Sequence, residues 1–477
     1  MTTFDDSFTM TIDGRAVDGT KKMDVINPAT GKPFAESPVA SASDLDSAVA
    51  AAQKALPAWK AMGIDKRREH LVRLSDAIKD NADELAALFT REQGRPLHLA
   101  KQEILGGVFW LRGTAKLDLP VEVTEDSENR KVEVHYDPLG VVCAIVPWNF
   151  PFLLAIWKIA PALLAGNTMV LKPSPFTPLC SLRLGELTRG LLPDGVLNII
   201  SGGDELGPMM TSHPGFAKIS FTGSTATGKR VMETAAKDLK RVTLELGGND
   251  AAIIMPDVDL DEVAEQIFFG AFYNSAQVCV ATKRMYVHED IYDDLRDRLH
   301  KIAQREAVGD GTQQGINYGP LQNEPQYKRV TALLEDARKQ GLTVLDGCEA
   351  PSEGYFIPLT IVDNPPDDAR VVTEEAFGPI LPMLKFSKIE DVIARANDSE
   401  YGLAGSIWSK DIDAAVDIAK QLDTGTIWIN QNLQNTPFNP FAGAKHSGIG
   451  VENGQHGLME FVQPKTIYIP KPQPTAA

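Results

Sequence analysis

Lys218 to Val231 reads KISFTGSTATGKRV: four residues alternating polar and apolar, a turn closed by Gly223 and Ser224, then a run with helical periodicity. A strand that passes through such a turn into a helix presents backbone amides to a phosphate. The segment therefore predicts one β-turn-α unit of a doubly wound α/β fold. Its Gly223-x-x-x-x-Gly228-Lys229 is one residue short of a phosphate-binding P-loop, and AAIIMPD (251–257) offers the apolar strand and Asp that a magnesium site needs. Arg230, however, stands where that loop requires Ser or Thr on the metal, so an NTPase fails on a chemical requirement. The glycine strings near Gly309 and Gly448 lack the spacing of a dinucleotide G-x-G-x-x-G.

Outward from this unit the same rhythm continues. VVCAIV (141–146), TMVLKP, LNIISG and VTLELG read as strands, and FLLAIWKIAPALLAG, ending at Gly166, and SLRLGELTRGLL read as helices. A second alternation begins at DLDEVAEQIFFGAFYNSA, with Asp259 as N-cap, and runs through RMYVHE, IYDDLRDRLHKIAQRE, TVLDG, EDVIARAND, GSIWS, AAVDIAKQL and TIWIN. Two Rossmann-like halves joined near residue 250 are expected. Residues 44–118 read almost entirely as helix. VEVTEDSENRKVEVHY (121–136) reads as a β-hairpin with no sequence neighbour to cover it, and TIYIPK near the C-terminus as a strand that could pair with it in a projecting arm. The Pro-rich end PKPQPTAA reads as frayed.

The chain has 477 residues, enough for two or three domains, and 43% hydrophobic residues to fill their cores. Its net charge of −17, scattered along the sequence, disfavours nucleic acid and anionic lipid as partners. Pro138 to Trp157 carries no charge, but three prolines and Asn149 make it a poor membrane span. The start of the sequence has no secretory pattern. Four separated cysteines, with no C-x-x-C pair and no zinc-spaced His, predict neither disulfide framework nor metal site, and a reducing cytoplasm is expected.

Of those cysteines, Cys143 falls in a buried strand, Cys180 at a helix start and Cys348 in a Gly-containing turn, whereas Cys279 in NSAQVCVAT occupies a connection before a strand. A buried packing role is the ordinary reading of such a residue. Glu245 ends the strand VTLEL, where ligands of α/β sheets collect. Asn149, in PWNFP, sits where an amide either caps a helix or holds an oxyanion.

Taken together, PWNFP (147–151), KPS (172–174), FTGSTATG (221–228), ELGG (245–248), AQVC (276–279), EEAFGPI (374–380) and PFAGAKHSGIG (440–450) resemble, in order and across nearly the whole chain, the NAD(P)-dependent aldehyde dehydrogenase superfamily. The resemblance implies a nucleotide-binding domain (1–118 and 137–249), a catalytic domain (250–449), and an oligomerisation arm with C-terminal strand (119–136 and 450–477), assembled as a homodimer or homotetramer. It implies Cys279 as nucleophile, Glu245 as base and Asn149, with the Cys279 N–H, as oxyanion donors. For the cofactor it implies contacts from Trp148, Lys172, Ser174, Pro175, Gly223, Ser224, Gly247, Glu375 and Phe377. Many NAD-preferring relatives have Glu where this chain has Pro175, so NAD is expected as the family default with NADP use open.

By the same resemblance Leu154, Trp157, Tyr273, Val278, Val280, Asn435, Phe438 and Phe441 line the substrate tunnel. An apolar, aromatic lining suits neutral aromatic or medium-chain aldehydes. Arg112 is the residue that would redirect it to a semialdehyde carboxylate, but its ordinary reading is a solvated helix residue. A CoA-acylating relative would share Cys279 but have little use for Glu245.

Overall fold

The computed structural model describes residues 7–472. Five parallel strands, Val141–Ile145, Thr168–Lys172, Leu197–Ile199, Lys218–Thr222 and Arg241–Glu245, form the centre of an eight-stranded sheet in the spatial order third, second, first, fourth, fifth. That order reverses between Val141–Ile145 and Lys218–Thr222, creating a crevice beyond their carboxyl ends. Met10–Ile12 and Arg15–Val17 extend one edge antiparallel, and Gly448–Ile449 pairs antiparallel with Arg241–Glu245 at the other.

The chargeless stretch resolves as expected into strand, loop and helix. Pro151 opens the helix Pro151–Ala165, needing no amide partner there, and Gly166 closes it at φ 97°. Arg67 Nε donates to Leu164 O at 2.8 Å, anchoring that C-terminus to the helices packed outside it. The 44–118 region is four helices, Ala42–Ala61, Ile64–Asp80, Ala82–Gln93 and Leu97–Thr114; the run from Asp65 to Gln93 breaks at Asn81.

Between Glu245 and Ala251 the chain passes to a seven-stranded sheet. Six strands are parallel, with Thr343–Asp346 antiparallel at one edge. In Ala251–Ile254, strand alternation sends Ala251 and Ile253 into one apolar cluster and Ala252 and Ile254 into another, so both faces are covered. Asp259 caps Leu260–Phe272, accepting from the Asp261 amide. Sequence reading did not pick out Thr360–Asp363, Ile380–Phe386 or the helix Glu324–Lys339, and it overlooked the four strands before residue 40.

The hairpin strands Glu122–Asp126 and Arg130–Pro138 and the late strand Val462–Pro470 form a separate three-stranded sheet, paired from Val462↔Pro138 to Pro470↔Arg130. Val121, Val123, Ile467, Tyr468 and Ile469 are exposed on this arm. The fraying expected for PKPQPTAA lies, beyond Pro472, outside the described residues. Among the described residues no helix is long and apolar enough to cross a membrane.

Candidate active site

The crevice at the strand reversal is built from loop residues. Ser224 caps the helix Thr225–Ala236, its Oγ accepting from the Thr227 amide at 3.3 Å, and the Gly223 amide donates to Glu245 O at 3.0 Å. Gly228 lies flat against Leu246; a Cβ there would come within 2.5 Å of the leucine side chain. The resulting cleft is lined by Trp148, Asn149, Gly223, Ser224, Gly247, Glu375 and Phe377, together with Cys279. Trp148 and Phe377 meet edge to face at 5.3 Å. Glu375 Oε1 accepts from the Gly248 amide at 3.1 Å, and Gly247 leaves that carboxylate its space. Lys172 ends the neighbouring strand, Ser174 and Pro175 follow it, and none of the three lines this cleft. Lys172 is buried, its Nζ donating to Pro173 O at 3.1 Å, and burial lowers its pKa to about 8.

On the other side of Cys279 lies a cavity of about 280 Å³. Leu154, Trp157, Tyr273, Val278, Val280, Asn435 and Phe441 line it, as do Glu245, Trp110, Phe150, Leu433 and Glu452. Trp157 stacks on Trp110 and meets Phe441 edge to face, each at 5.5 Å. Phe438 is a correction: it is exposed, faces Lys116 and stays outside the cavity, because Pro437 is wedged against Gly113. Arg112 is a second. Its guanidinium donates to Ser75 Oγ and pairs with Asp76, so it is engaged on the neighbouring helix and lines no part of the cavity.

Cys279 lines both spaces and follows a turn under strain. Asn274, Ser275 and Ala276 all have positive φ, at 54°, 53° and 58°, which only a well-bonded surround sustains. Ser275 Oγ donates to Gly319 O at 2.7 Å, and Gln277 Nε2 donates to Asn274 O and Pro320 O. Arg95, buried and paired with Glu103, donates to Asn274 Oδ1 at 3.1 Å and to Asn149 O at 2.7 Å. Glu103 in turn accepts the Phe152 and Leu153 amides at the start of Pro151–Ala165. Asn149 is not the cap of that helix, which is Phe150. Its Nδ2 donates to Gln277 O at 3.0 Å, leaving its second amide hydrogen free of that bond.

Burial pushes the Cys279 thiol up to about 12, against the lowering charge of Lys283. Both carboxyl oxygens of Glu245 are buried without a hydrogen-bond partner. Burial, then repulsion from Glu452, raises its pKa well above the usual carboxylate range, and Lys158 opposes that rise. Lys158 and Glu452 went unnoticed in the sequence, as did Arg95 and Lys283. Lys158 left a readable trace, being the one charge in an otherwise apolar helix. Among the described residues no group of three His, Cys, Asp or Glu could hold a metal.

An α/β crevice flanked by a cysteine, a buried carboxyl group and an amide is suited to covalent chemistry on a carbonyl carbon, as in oxidoreductases of the aldehyde-oxidising class. The aldehyde dehydrogenase family model matches residues 16–467, and the chain belongs to that family. The FUS7 protein of Gibberella fujikuroi is 43% identical, over 98% of this chain and 99% of the relative. Phenylacetaldehyde dehydrogenase of Pseudomonas fluorescens is 39% identical, over 94% and 93%. The structure of the Bacillus cereus aldehyde dehydrogenase in its NAD+ complex superposes with a TM-score of 0.94 at 36% identity, covering 97% of this chain and 96% of that one.

Proposed function

We propose that this aldehyde dehydrogenase oxidises neutral aromatic or medium-chain aldehydes to carboxylic acids through a covalent cysteine intermediate. The observation that carries this reading is the position of Cys279 at the meeting of an apolar cavity holding Glu245 and a cleft holding Ser224, Glu375 and Phe377. Cys279 Sγ adds to the aldehyde carbon as the thiolate, its proton passing to solvent with Glu245 assisting, so that Glu245 is ionised again for the water step. The oxyanion takes the free Asn149 amide hydrogen and the Cys279 N–H. NAD, held by Ser224, Glu375 and Phe377, would supply the acceptor for the hydride that the tetrahedral carbon gives up, and a thioester would remain on Cys279. Glu245 then takes a proton from the water that cleaves the thioester, releasing the acid and the thiol.

For a dinucleotide the cleft offers a capped helix start to the pyrophosphate and Glu375 and Phe377 to the nicotinamide ribose, with Trp148 alongside, while Lys172 and Ser174, outside its lining, are assigned to the adenosine ribose by the family resemblance alone. Pro175 removes the usual discriminating Glu, but Asp204 and Glu205 both act electrostatically on Lys172. Two carboxylates near that lysine disfavour a 2′-phosphate, which supports NAD over NADP. The engagement of Arg112 elsewhere favours uncharged aldehydes over semialdehydes, and the buried carboxyl of Glu245 in the cavity favours hydrolysis over transfer to CoA. The bipartite nucleotide-binding unit, the catalytic unit and the arm as an oligomerisation element belong to the same proposal, the exposed apolar arm residues supporting a homodimer or homotetramer.

A panel of benzaldehyde-like, aliphatic and semialdehyde substrates with NAD or NADP, with and without CoA, followed by nicotinamide reduction, tests this reading. A higher kcat/KM for succinic semialdehyde than for benzaldehyde, or a requirement for CoA, overturns it.

A further inference from the structure

Four residues beyond Cys279, the sequence places a lysine that is only 6% exposed. The Lys283 ammonium donates to the carbonyl oxygen of Cys279 and, at 3.3 Å, to that of Ala281, and it lies 3.8 Å from Glu375 Oε1. The same carboxyl oxygen takes the Gly248 amide. Gly248 is pressed between the partners: a Cβ on it would lie 2.7 Å from Asp250 Oδ1 and 2.8 Å from Cys279 O. One buried cation thus binds the peptide carbonyl of Cys279 and pairs with a second residue of the cleft lining, Glu375. Uncharged donors could satisfy the carbonyls without the cost of burying an ammonium. A positive charge is needed only if something nearby is, or becomes, negative.

We propose that Lys283 is a positioning residue that locks the Cys279 main chain to Glu375 and supplies the positive charge against which the Cys279 thiolate forms. The proposal rests on the reading of Cys279 as nucleophile and Glu375 as a cofactor contact. The ionisable groups acting on the thiol are Lys283, Asp250, Glu245 and Glu375, and Lys283 is the cation among them. It also holds down the pKa values of Asp250 and Glu375, in each case as the leading influence against burial. Removing it therefore leaves a thiol facing three carboxyl groups.

The test uses the full-length enzyme without cofactor and follows iodoacetamide alkylation of Cys279, located by peptide mapping, as a function of pH. Lys283→Met shifts the profile up by about one pH unit, slowing alkylation at pH 8 about tenfold, and weakens NAD binding; Lys283→Arg largely restores both. If Lys283 merely packs, both variants lose thermal stability while the alkylation profile stays in place, and the proposal is overturned. Should Lys283→Met not fold, Glu375→Gln decides. It removes one carboxylate that competes with the thiol for the ammonium and itself repels the thiolate, and so speeds alkylation at pH 8, whereas an unchanged or slower rate overturns the proposal. Failure of the underlying reading looks different: Cys279→Ser would still oxidise aldehydes, and the proposal would fall with it.

Discussion

Lys158 Nζ and Glu452 Oε1 stand 2.5 Å apart in a buried ion pair, and both act on the carboxyl group of Glu245. Glu452 raises the Glu245 pKa and Lys158 lowers it, so the acidity of the proposed base is set by the balance between two side chains near opposite ends of the catalytic machinery in sequence. Glu245 must be ionised to act as a base, and activity is therefore lost as pH falls through its raised pKa. Lys158→Met moves the acid limb of the kcat–pH profile to higher pH, and Glu452→Gln moves it to lower pH. Limbs that coincide with wild type in both variants sink the electrostatic account.

Cys279→Ser abolishes the only thiol shared by cavity and cleft, and steady-state oxidation falls at least about a thousandfold. Glu245→Gln behaves differently. Hydride loss comes before the water step, so rapid mixing shows a first-turnover burst followed by a stall, with the acyl-enzyme visible by intact-mass spectrometry. Wild-type steady-state turnover in Glu245→Gln removes the base from Glu245.

Arg112→Ala changes kcat/KM for succinic semialdehyde and for benzaldehyde by less than about twofold, since the guanidinium is held by Ser75 and Asp76 outside the cavity. Its half-exposed pair contributes under about 1 kcal/mol to stability. A selective collapse of semialdehyde oxidation contradicts the placement.

Trp157→Ala removes a ring that contacts Trp110 and Phe441 across the cavity. The kcat/KM for benzaldehyde falls about tenfold or more relative to that for acetaldehyde, which fills none of that space. Equal losses for both aldehydes indicate a general packing defect instead.

Asp204→Asn combined with Glu205→Gln relieves the negative field at Lys172 and raises the NADP-to-NAD ratio of kcat/KM about tenfold. The ratio is measured at saturating aldehyde, and an unchanged value assigns cofactor choice to other residues.

Much of this architecture is legible in the sequence because its signals are local. Long apolar strands, Gly166 ending a helix, Asp259 beginning one and the hairpin around Ser127 each announce themselves within a dozen residues. Met10–Ile12 and Arg15–Val17 are too short to show alternation and exist because a neighbouring edge accepts them. The site divides in the same way. Cys279, Glu245 and Asn149 sit in motifs, while Glu452 meets Lys158, 294 residues away in sequence, only in the folded chain. Phe438 fails for the converse reason: its segment borders the cavity, but Pro437 against Gly113 turns it outward.

The arm also has a temporal meaning. Arg130–Pro138 gains its neighbour on one side from the adjoining hairpin, but on the other side it waits for Val462–Pro470. During synthesis on the ribosome both α/β sheets emerge while that edge still offers unpaired amides and carbonyls, the kind of edge that recruits other chains. Closing it is among the last folding events, so the arm is completed only after the two layers that hold the candidate site have been made.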